Sequence, residues 1–240
     1  MVRFRSLASS SEGCAYLLEA DGAAPLLIEC GLSYTKLQMA LVFRLSRVAG
    51  CIVSHAHMDH AEAANELPRH GVAVYASKET SDALRKGIFA PRVLKGPHKI
   101  GGWTVTPFDA VHDCPGALGF VIDGYGARCL YLTDSAYCPV RFEGLTHIAI
   151  ECNHSSEIMR ESVRSGKIDP VLYARTAASH MSLERLLPML KANDLSRVQE
   201  VHLLHLSDAN SDERAFKEAV QQATGCPVYV AQKTGLGGVP

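Results

Sequence analysis

The apolar run Gly50-Cys51-Ile52-Val53-Ser54 leads directly into His55-Ala56-His57-Met58-Asp59-His60, and that junction restricts what this chain can become. A short apolar run before a polar cluster reads as a buried strand that delivers a loop. In extended backbone, residues two apart share a face, so His55 and His57 can grip one cation. Asp59 and His60, past the bend, reach a second. Neutral imidazoles and a carboxylate suit Zn, Mn or Fe, and metal pairs about 3.5–4 Å apart are a recurrent device for hydrolysis. A His-rich surface turn is the bland alternative. Against it, the cluster is mixed His/Asp, it follows a strand, and isolated His and Asp residues stand at the ends of later strands.

This pattern resembles the metallo-β-lactamase superfamily, whose His-x-His-x-Asp-His signature is matched in full by His55, His57, Asp59 and His60. The resemblance covers essentially the whole chain. It implies a further His, an Asp and a final His at later strand ends. His112 in Thr106-Pro107-Phe108-Asp109-Ala110-Val111-His112-Asp113, Asp134 after Cys129-Leu130-Tyr131-Leu132-Thr133, and His205 in Val201-His202-Leu203-Leu204-His205 fit in order. The implied allotment is His55, His57 and His112 to one ion, Asp59, His60 and His205 to the other, with Asp134 as the bridge. Ser9-Ser10-Ser11-Glu12-Gly13, Ile28-Glu29-Cys30-Gly31-Leu32-Ser33, Ile150-Glu151-Cys152-Asn153-His154, Ser179-His180-Met181-Ser182 and His205-Leu206-Ser207-Asp208-Ala209-Asn210 are similar to the WalJ/YycJ-like branch. That branch is related to exonucleases and, more distantly, to tRNase Z. Three departures bear on substrate and polarity: Glu29 stands where the branch has Asp, Ser155 where it has Asp after Asn-His, and Ser179 with Met181 where it has Gly-His-Leu-Ser.

At 240 residues the chain can build a core without help from other chains. No linker-like or low-complexity tract divides it, so one domain over residues 1–234 is expected, with 235–240 as a flexible tail. No apolar run reaches the roughly 20 residues of a membrane span, and Met1-Val2-Arg3-Phe4-Arg5 leads into a strand pattern rather than a signal segment. A soluble, cytoplasmic protein without a membrane partner is therefore expected. The eight cysteines include no Cys-x-x-Cys pair, and Cys51, Cys129 and Cys152 sit in or at the ends of apolar strands, so reduced core thiols are expected. A net charge of −1 excludes general coating of a polyanion but leaves room for a local cationic patch. The best candidate runs from Arg85-Lys86 through Arg92 and Lys95 to Lys99 without an Asp or Glu, although a solvated surface explains it equally well.

Alternating apolar positions predict strands near Val2–Leu7, Ala15–Glu19, Leu26–Glu29, Cys51–Val53, Val72–Tyr75, Trp103–Phe108, Leu118–Ile122, Cys129–Leu132, His147–Glu151, Glu200–Leu204 and Val228–Val230. Helical spacing predicts helices over Tyr34–Leu45, Ala61–Leu67, Lys78–Lys86, Ser155–Val163, Ser182–Lys191 and Asp212–Ala223, with Ser33 as an N-cap. This succession argues for an α/β (α+β) fold with two mixed sheets flanked by helices. The resemblance implies the same αββα sandwich, with the ligands on loops at one edge.

A dinuclear site would generate a bridging hydroxide near neutral pH, with Asp59 among the catalytic carboxylates. The leaving oxygen then needs a proton donor. His180 is the candidate, because its Ser-His-Met-Ser setting resembles the segment in which related tRNA-processing enzymes place a catalytic His that is not a ligand. Glu151, a carboxylate ending an apolar strand, could orient and charge that imidazole. Helix capping by Glu151 is the structural alternative. His154 is the next candidate, as acid or phosphate contact. Asn153, Ser207 and Asn210 are candidate polar contacts, with capping of the Asp212 helix equally open to the last two. His202 is not expected to be a ligand, and His70, His98 and His147 read as surface or structural. The sequence thus predicts a hydrolase holding two divalent ions, Zn or Mn with Fe as a further option. The leading activity is a phosphodiesterase or nuclease, exonuclease-like, with DNA favoured over RNA. The runner-up is a small-molecule phosphodiesterase or an ester/thioester hydrolase, and an inactive metal-binding protein is the third class. The chain shows no inserted cap like that of the β-CASP nucleases, and the absence of a long tRNA-gripping arm of the tRNase Z type lowers the weight of tRNA maturation.

Overall fold

The computed structural model describes residues 1–85 and 89–233. It contains two mixed sheets, one of six strands and one of seven, with flanking helices, as the strand and helix succession leads one to expect. The chain divides into two compact units. The first comprises Met1–Asp109, Cys114–Ala127 and Ala231–Pro240, and the second Ala110–Asp113 with Arg128–Val230. The expected tail at 235–240 lies outside the described residues.

In the first unit, β1 (Val2–Ser10), β2 (Gly13–Ala20), β3 (Leu26–Ile28), β4 (Gly50–Ile52), β5 (Val74–Ala76) and β6 (Arg92–Val93) form a sheet in sequence order. Strands β1 to β3 are antiparallel hairpins, whereas β3 to β6 are parallel. The parallel crossovers carry α1 (Tyr34–Ala40), α2 (Met58–Ala61) and α3 (Lys78–Leu84). Leu7, Leu17, Leu27, Leu37, Leu41, Leu45, Val53, Leu67 and Val74 share one buried cluster. Its apolar area is the main term holding this unit together, at about 25 cal/mol per Å² removed from water. An antiparallel meander of β7 (His98–Ile100), β8 (Trp103–Asp109) and β9 (Leu118–Gly124) completes the unit.

The second unit is built on four parallel strands, β10 (Ala127–Leu132), β11 (His147–Glu151), β12 (Glu200–Leu204) and β13 (Val228–Val230). Leu130, Tyr131, Ile148, Ala149, Ile150, Val201 and Leu203 are buried, as continuous apolar runs in a parallel sheet covered on both faces should be. Helices α4 (Ser156–Arg164), α5 (Pro170–Ser179), α6 (Leu183–Lys191) and α7 (Glu213–Thr224) connect and follow these strands. Ser155, Asp169, Ser182 and Asp212 cap their N-termini through side-chain oxygens.

Several boundaries differ from the sequence expectation, each for a local reason. The Tyr34–Leu45 helix begins on its Ser33 cap but ends at Ala40, because Val42 and Phe43 take left-handed backbone (φ 50° and 56°). No helix spans Ala61–Leu67. Helix α2 starts earlier, at Met58, after an extended His57, and Pro68 sits at the start of a 3-10 turn over Leu67–His70. Helix α3 ends at Leu84, and Lys86 and Gly87 fall outside the described residues. Helix α5 was not expected at all: Val171 and Leu172 are exposed near its start, so its apolar residues do not trace a buried stripe.

Candidate metal centre

In the first unit, β4 delivers Ser54 and then His55, and the chain stays extended to His57 before turning into α2. The buried Ser54 hydroxyl lies 2.9 Å from His55 Nδ1. This leaves His55 Nε2 facing His57 Nδ1 at 3.0 Å. One turn on, His60 Nε2 lies 3.5 Å from Asp59 Oδ2, while His60 Nδ1 faces Glu29 Oε2 at 3.7 Å. Two ligands at about 2.0–2.1 Å from one tetrahedral ion stand about 3.3 Å apart. The His55–His57 and Asp59–His60 donor atoms, 3.0 and 3.5 Å apart, have separations of that order. Glu29 is fully buried, has φ 61°, and accepts the Ser54 N–H at 3.2 Å on each oxygen. It therefore braces the strand end and faces the His60 ring, a role that its resemblance to an Asp position did not disclose.

In the second unit, parallel pairing aligns strand ends. Leu132 of β10 stands opposite Ile150 of β11, and Glu151 opposite Leu204 of β12. Asp134, Glu151 and His205 consequently emerge at one edge of the sheet. Their side chains, with that of His180, offer donor atoms all within 4.8 Å of one another. Asp134 points its two oxygens in different directions: Oδ1 lies 3.3 Å from His205 Nδ1, and Oδ2 lies 3.8 Å from His112 Nε2. Thr133 Oγ1 donates to Asp134 Oδ1 at 2.8 Å, and His112 Nδ1 lies 3.2 Å from the Ser179 carbonyl, which turns its Nε2 towards Asp134. Asp134 and His205 both have left-handed backbone, φ 45° and 52°. Such strain in residues other than glycine concentrates where side-chain placement matters more than backbone ease.

Glu151 is the hub of this half. It is fully buried and accepts from Met181 N at 2.9 Å and Ser135 N at 3.3 Å, while its Oε1 faces His180 Nδ1 at 2.7 Å and His205 Nδ1 at 3.1 Å. Burial opposes its charge, but the His180 cation and these hydrogen bonds prevail and hold its pKa below the usual value. For His180, burial likewise opposes the charge, yet Glu151, and then Asp134, raise its pKa to about 9. The capping alternative for Glu151 does not hold. Ser155 caps α4, and Glu184 of α6 accepts the Ser156 N–H.

The remaining candidates separate. His154 is buried beside this edge, and its Nδ1 has no hydrogen-bond partner among the described residues. Burial lowers its pKa despite the neighbouring Glu151 and Glu184 charges. Asn153 donates to the His205 carbonyl at 2.9 Å, which makes it a brace for that turn. Asn210 Nδ2 donates to Ser207 Oγ at 3.2 Å, and Asp212, not either of them, caps α7. His202 pairs with Glu200 at 3.0 Å, His147 with Thr146 at 2.8 Å, and His70 stacks on Tyr34, all structural arrangements. Of the expected cationic run, Arg92, Lys95 and Lys99 are exposed, Arg85 pairs with Asp82 at 3.7 Å, and Lys86 lies outside the described residues. Trp103 is core and Phe89 lies under the Arg69 guanidinium, so neither offers a free stacking face. The cysteines are free thiols, six of them buried.

Comparison with known proteins follows this geometry. Residues 25–205 match the family model described as a β-lactamase superfamily domain. The exodeoxyribonuclease YycJ of Bacillus anthracis is 28% identical over 178 residues, and the match covers 66% of this chain and 66% of that relative's length. Among solved structures, the metallo-β-lactamase fold protein YhfI of Bacillus subtilis superimposes with a TM-score of 0.72 at 18% identity, covering 96% of each chain. A diphosphatase of the PhnP family superimposes with a TM-score of 0.64 at 16% identity, covering 98% of this chain and 96% of its own. These superpositions match the αββα sandwich expected from the sequence.

Proposed function

Because the chain belongs to the β-lactamase superfamily, a family of metallo-hydrolase fold, we propose that it is a metal-dependent phosphodiesterase that cleaves nucleic acid, DNA in preference to RNA. The resemblance to a bacterial exodeoxyribonuclease supports the substrate class. The observation that carries the reading is the His180–Glu151 pair at 2.7 Å, set beside Asp134. An alkoxide leaving from a phosphodiester is poor and needs a proton, whereas an activated ester or thioester does not.

His55, His57 and His112 would hold one divalent ion, Asp59, His60 and His205 a second, and Asp134 both, with Zn or Mn as the metals and Fe as a further option. When bound, the ions lower the pKa of water and neutralise oxygen that gains charge during attack. The chain's own residues do the rest. Ser54, Glu29, Thr133 and the Ser179 carbonyl fix ligand orientation before any ion arrives, which reduces the reorganisation that binding requires. Glu151 takes His180 Nδ1, so Nε2 is the atom left to pass a proton to the departing oxygen. The His180 side chain is 20% exposed, enough for a substrate to reach it. His154, buried beside this pair, would serve as a contact to the phosphate or to its leaving group.

The test separates leaving groups. His180→Ala should retain both metals and lose on the order of 10²–10⁴-fold in turnover of an oligonucleotide. With bis(p-nitrophenyl) phosphate, whose leaving group needs little protonation, the loss should be much smaller. Equal losses on the two substrates, or loss of metal, would show that His180 does something else. Thioester hydrolysis without phosphodiesterase activity under any metal would favour the alternative hydrolase.

A further inference from the structure

The turn that ends α1 is built in an unusual way. Val42 N–H donates to the Met39 carbonyl at 2.9 Å and Phe43 N–H to the Gln38 carbonyl at 2.8 Å, the paired bonds of a Schellman motif. Glycine normally occupies the left-handed position of that motif, and the apolar residue after it normally folds back on the helix. Here a β-branched valine takes φ 50°, and Phe43, also left-handed, is 75% exposed instead of folding back. Met39 and Val42 are 43% and 58% exposed beside it. Leu37, Leu41 and Leu45 supply the fully buried side of the segment.

The charge along this segment has one sign. From Cys30 to Met58 the sequence has no Asp or Glu, while Lys36, Arg44 and Arg47 are exposed and make no ion pair among the described residues. The segment also starts at the metal loop. Cys30 N–H donates to the His60 carbonyl at 2.9 Å, and a Cβ on Gly31 would lie 1.6 Å from the Asp59 carbonyl oxygen. Eleven residues, seven of them helical, then lie between Gly31 and Phe43. At about 1.5 Å per helical step and about 3.3 Å per extended one, Phe43 lies within roughly 27 Å of that loop.

We infer that the α1 turn is a contact site for single-stranded nucleic acid, with Phe43 stacking on a base, Val42 and Met39 flanking it, and Lys36, Arg44 and Arg47 meeting phosphates. This deepens the nuclease reading and rests on it. An exposed aromatic on a segment that carries exposed cations is the pairing that sequence-tolerant single-strand binders use. It also explains why a flexible glycine is absent: a fixed, left-handed Val42 holds the ring outward.

The natural chain has one tryptophan, the fully buried Trp103, so Phe43→Trp adds an exposed indole whose fluorescence reports on this turn alone. Titration with oligo(dT), without added divalent ions, should quench it with a salt-dependent dissociation constant. Arg44→Glu/Arg47→Glu should reduce the log–log salt slope by about 0.7 for each phosphate that is no longer neutralised. Phe43→Ala should weaken oligonucleotide binding about tenfold. Both variants should lower turnover of an oligonucleotide relative to bis(p-nitrophenyl) phosphate. If the protein hydrolyses oligonucleotides but these variants bind and cleave them as the natural chain does, the inference falls and the nuclease reading stands. If it cleaves bis(p-nitrophenyl) phosphate but neither binds nor cleaves oligonucleotides, both fall. Quenching by vesicles of anionic phospholipid without quenching by oligo(dT) overturns the inference in favour of a membrane surface.

Discussion

Among the described residues, left-handed backbone outside glycine falls at Glu29, Val42, Phe43, Tyr125, Asp134 and His205, and three of these are carboxylate or imidazole residues of the candidate centre. A left-handed residue other than glycine costs of the order of 1–3 kcal/mol, so each persists only where its neighbours over-determine it. Asp134 is held by Thr133 and faces His112 and His205, and the His205 turn is tied by Asn153. Val42, with its side chain exposed, is held by the two backbone bonds of its turn alone. Val42→Gly should therefore raise unfolding stability by about 1 kcal/mol, because glycine adopts that backbone without a Cβ clash. Urea unfolding at neutral pH checks it, and an unchanged or lower midpoint would mean that Val42 packs more than its exposure indicates.

At the scale of elements, the three parallel strands β10, β11 and β12 do most to create the centre, since aligned strand ends bring Asp134, Glu151 and His205 together from distant parts of the sequence. The helices then lock one another. Glu184, in the first turn of α6, accepts from Ser156 N–H and the Ser155 hydroxyl at the start of α4. Burial opposes its charge, but these hydrogen bonds dominate and lower its pKa from 4.5 to about 2. The folded value is depressed, so the stabilisation is complete above pH 4.5 and is lost as pH falls towards 2. Glu184 is largely exposed, which discounts the size of the effect but not its sign. Glu184→Gln should leave less stability to lose between pH 5 and pH 3 than the natural chain has, as read from urea midpoints at the two pH values. An identical loss in both proteins would mean that the carboxylate does not hold α4.

These elements were legible to different degrees. The helices α4, α6 and α7 announced themselves because polar caps precede apolar residues at helical spacing. Strand β4 and the His55–His60 loop were legible because an apolar run ends in residues whose chemistry suits a cation. The α1 turn was not, because Leu37, Leu41 and Leu45 keep helical spacing through a backbone that has already left the helix. Helix α5 was missed for want of a buried stripe. The groups that orient ligands, Ser54, Thr133 and the Ser179 carbonyl, carry no signature, since hydroxyls and carbonyls are everywhere and only the fold selects among them.

For the whole molecule, two features of its charge and surface bear on function. The net charge of −1 coexists with a cationic, carboxylate-free stretch from Cys30 to Met58 and with exposed Arg92, Lys95 and Lys99 in the same unit. No helix among the described residues is long and apolar enough to cross a membrane. Replacing Arg92, Lys95 and Lys99 together should weaken cleavage of a polynucleotide more than that of a small phosphodiester, because only the polymer extends beyond the metals. Equal losses, measured as kcat/KM on the two substrates, would remove that patch from the substrate path.

The most direct test of a metal-dependent nuclease is hydrolysis by metal-stripped protein to which Mn, Zn or Fe is returned, followed on end-labelled single-stranded DNA with RNA and a thioester in parallel. Without metal no hydrolysis is expected, and DNA cleavage should rise with metal content up to two ions per chain. Asp134→Ala should abolish that cleavage without unfolding the protein. DNA cleavage by the stripped protein, or by Asp134→Ala at the natural rate, would contradict a metal-dependent nuclease.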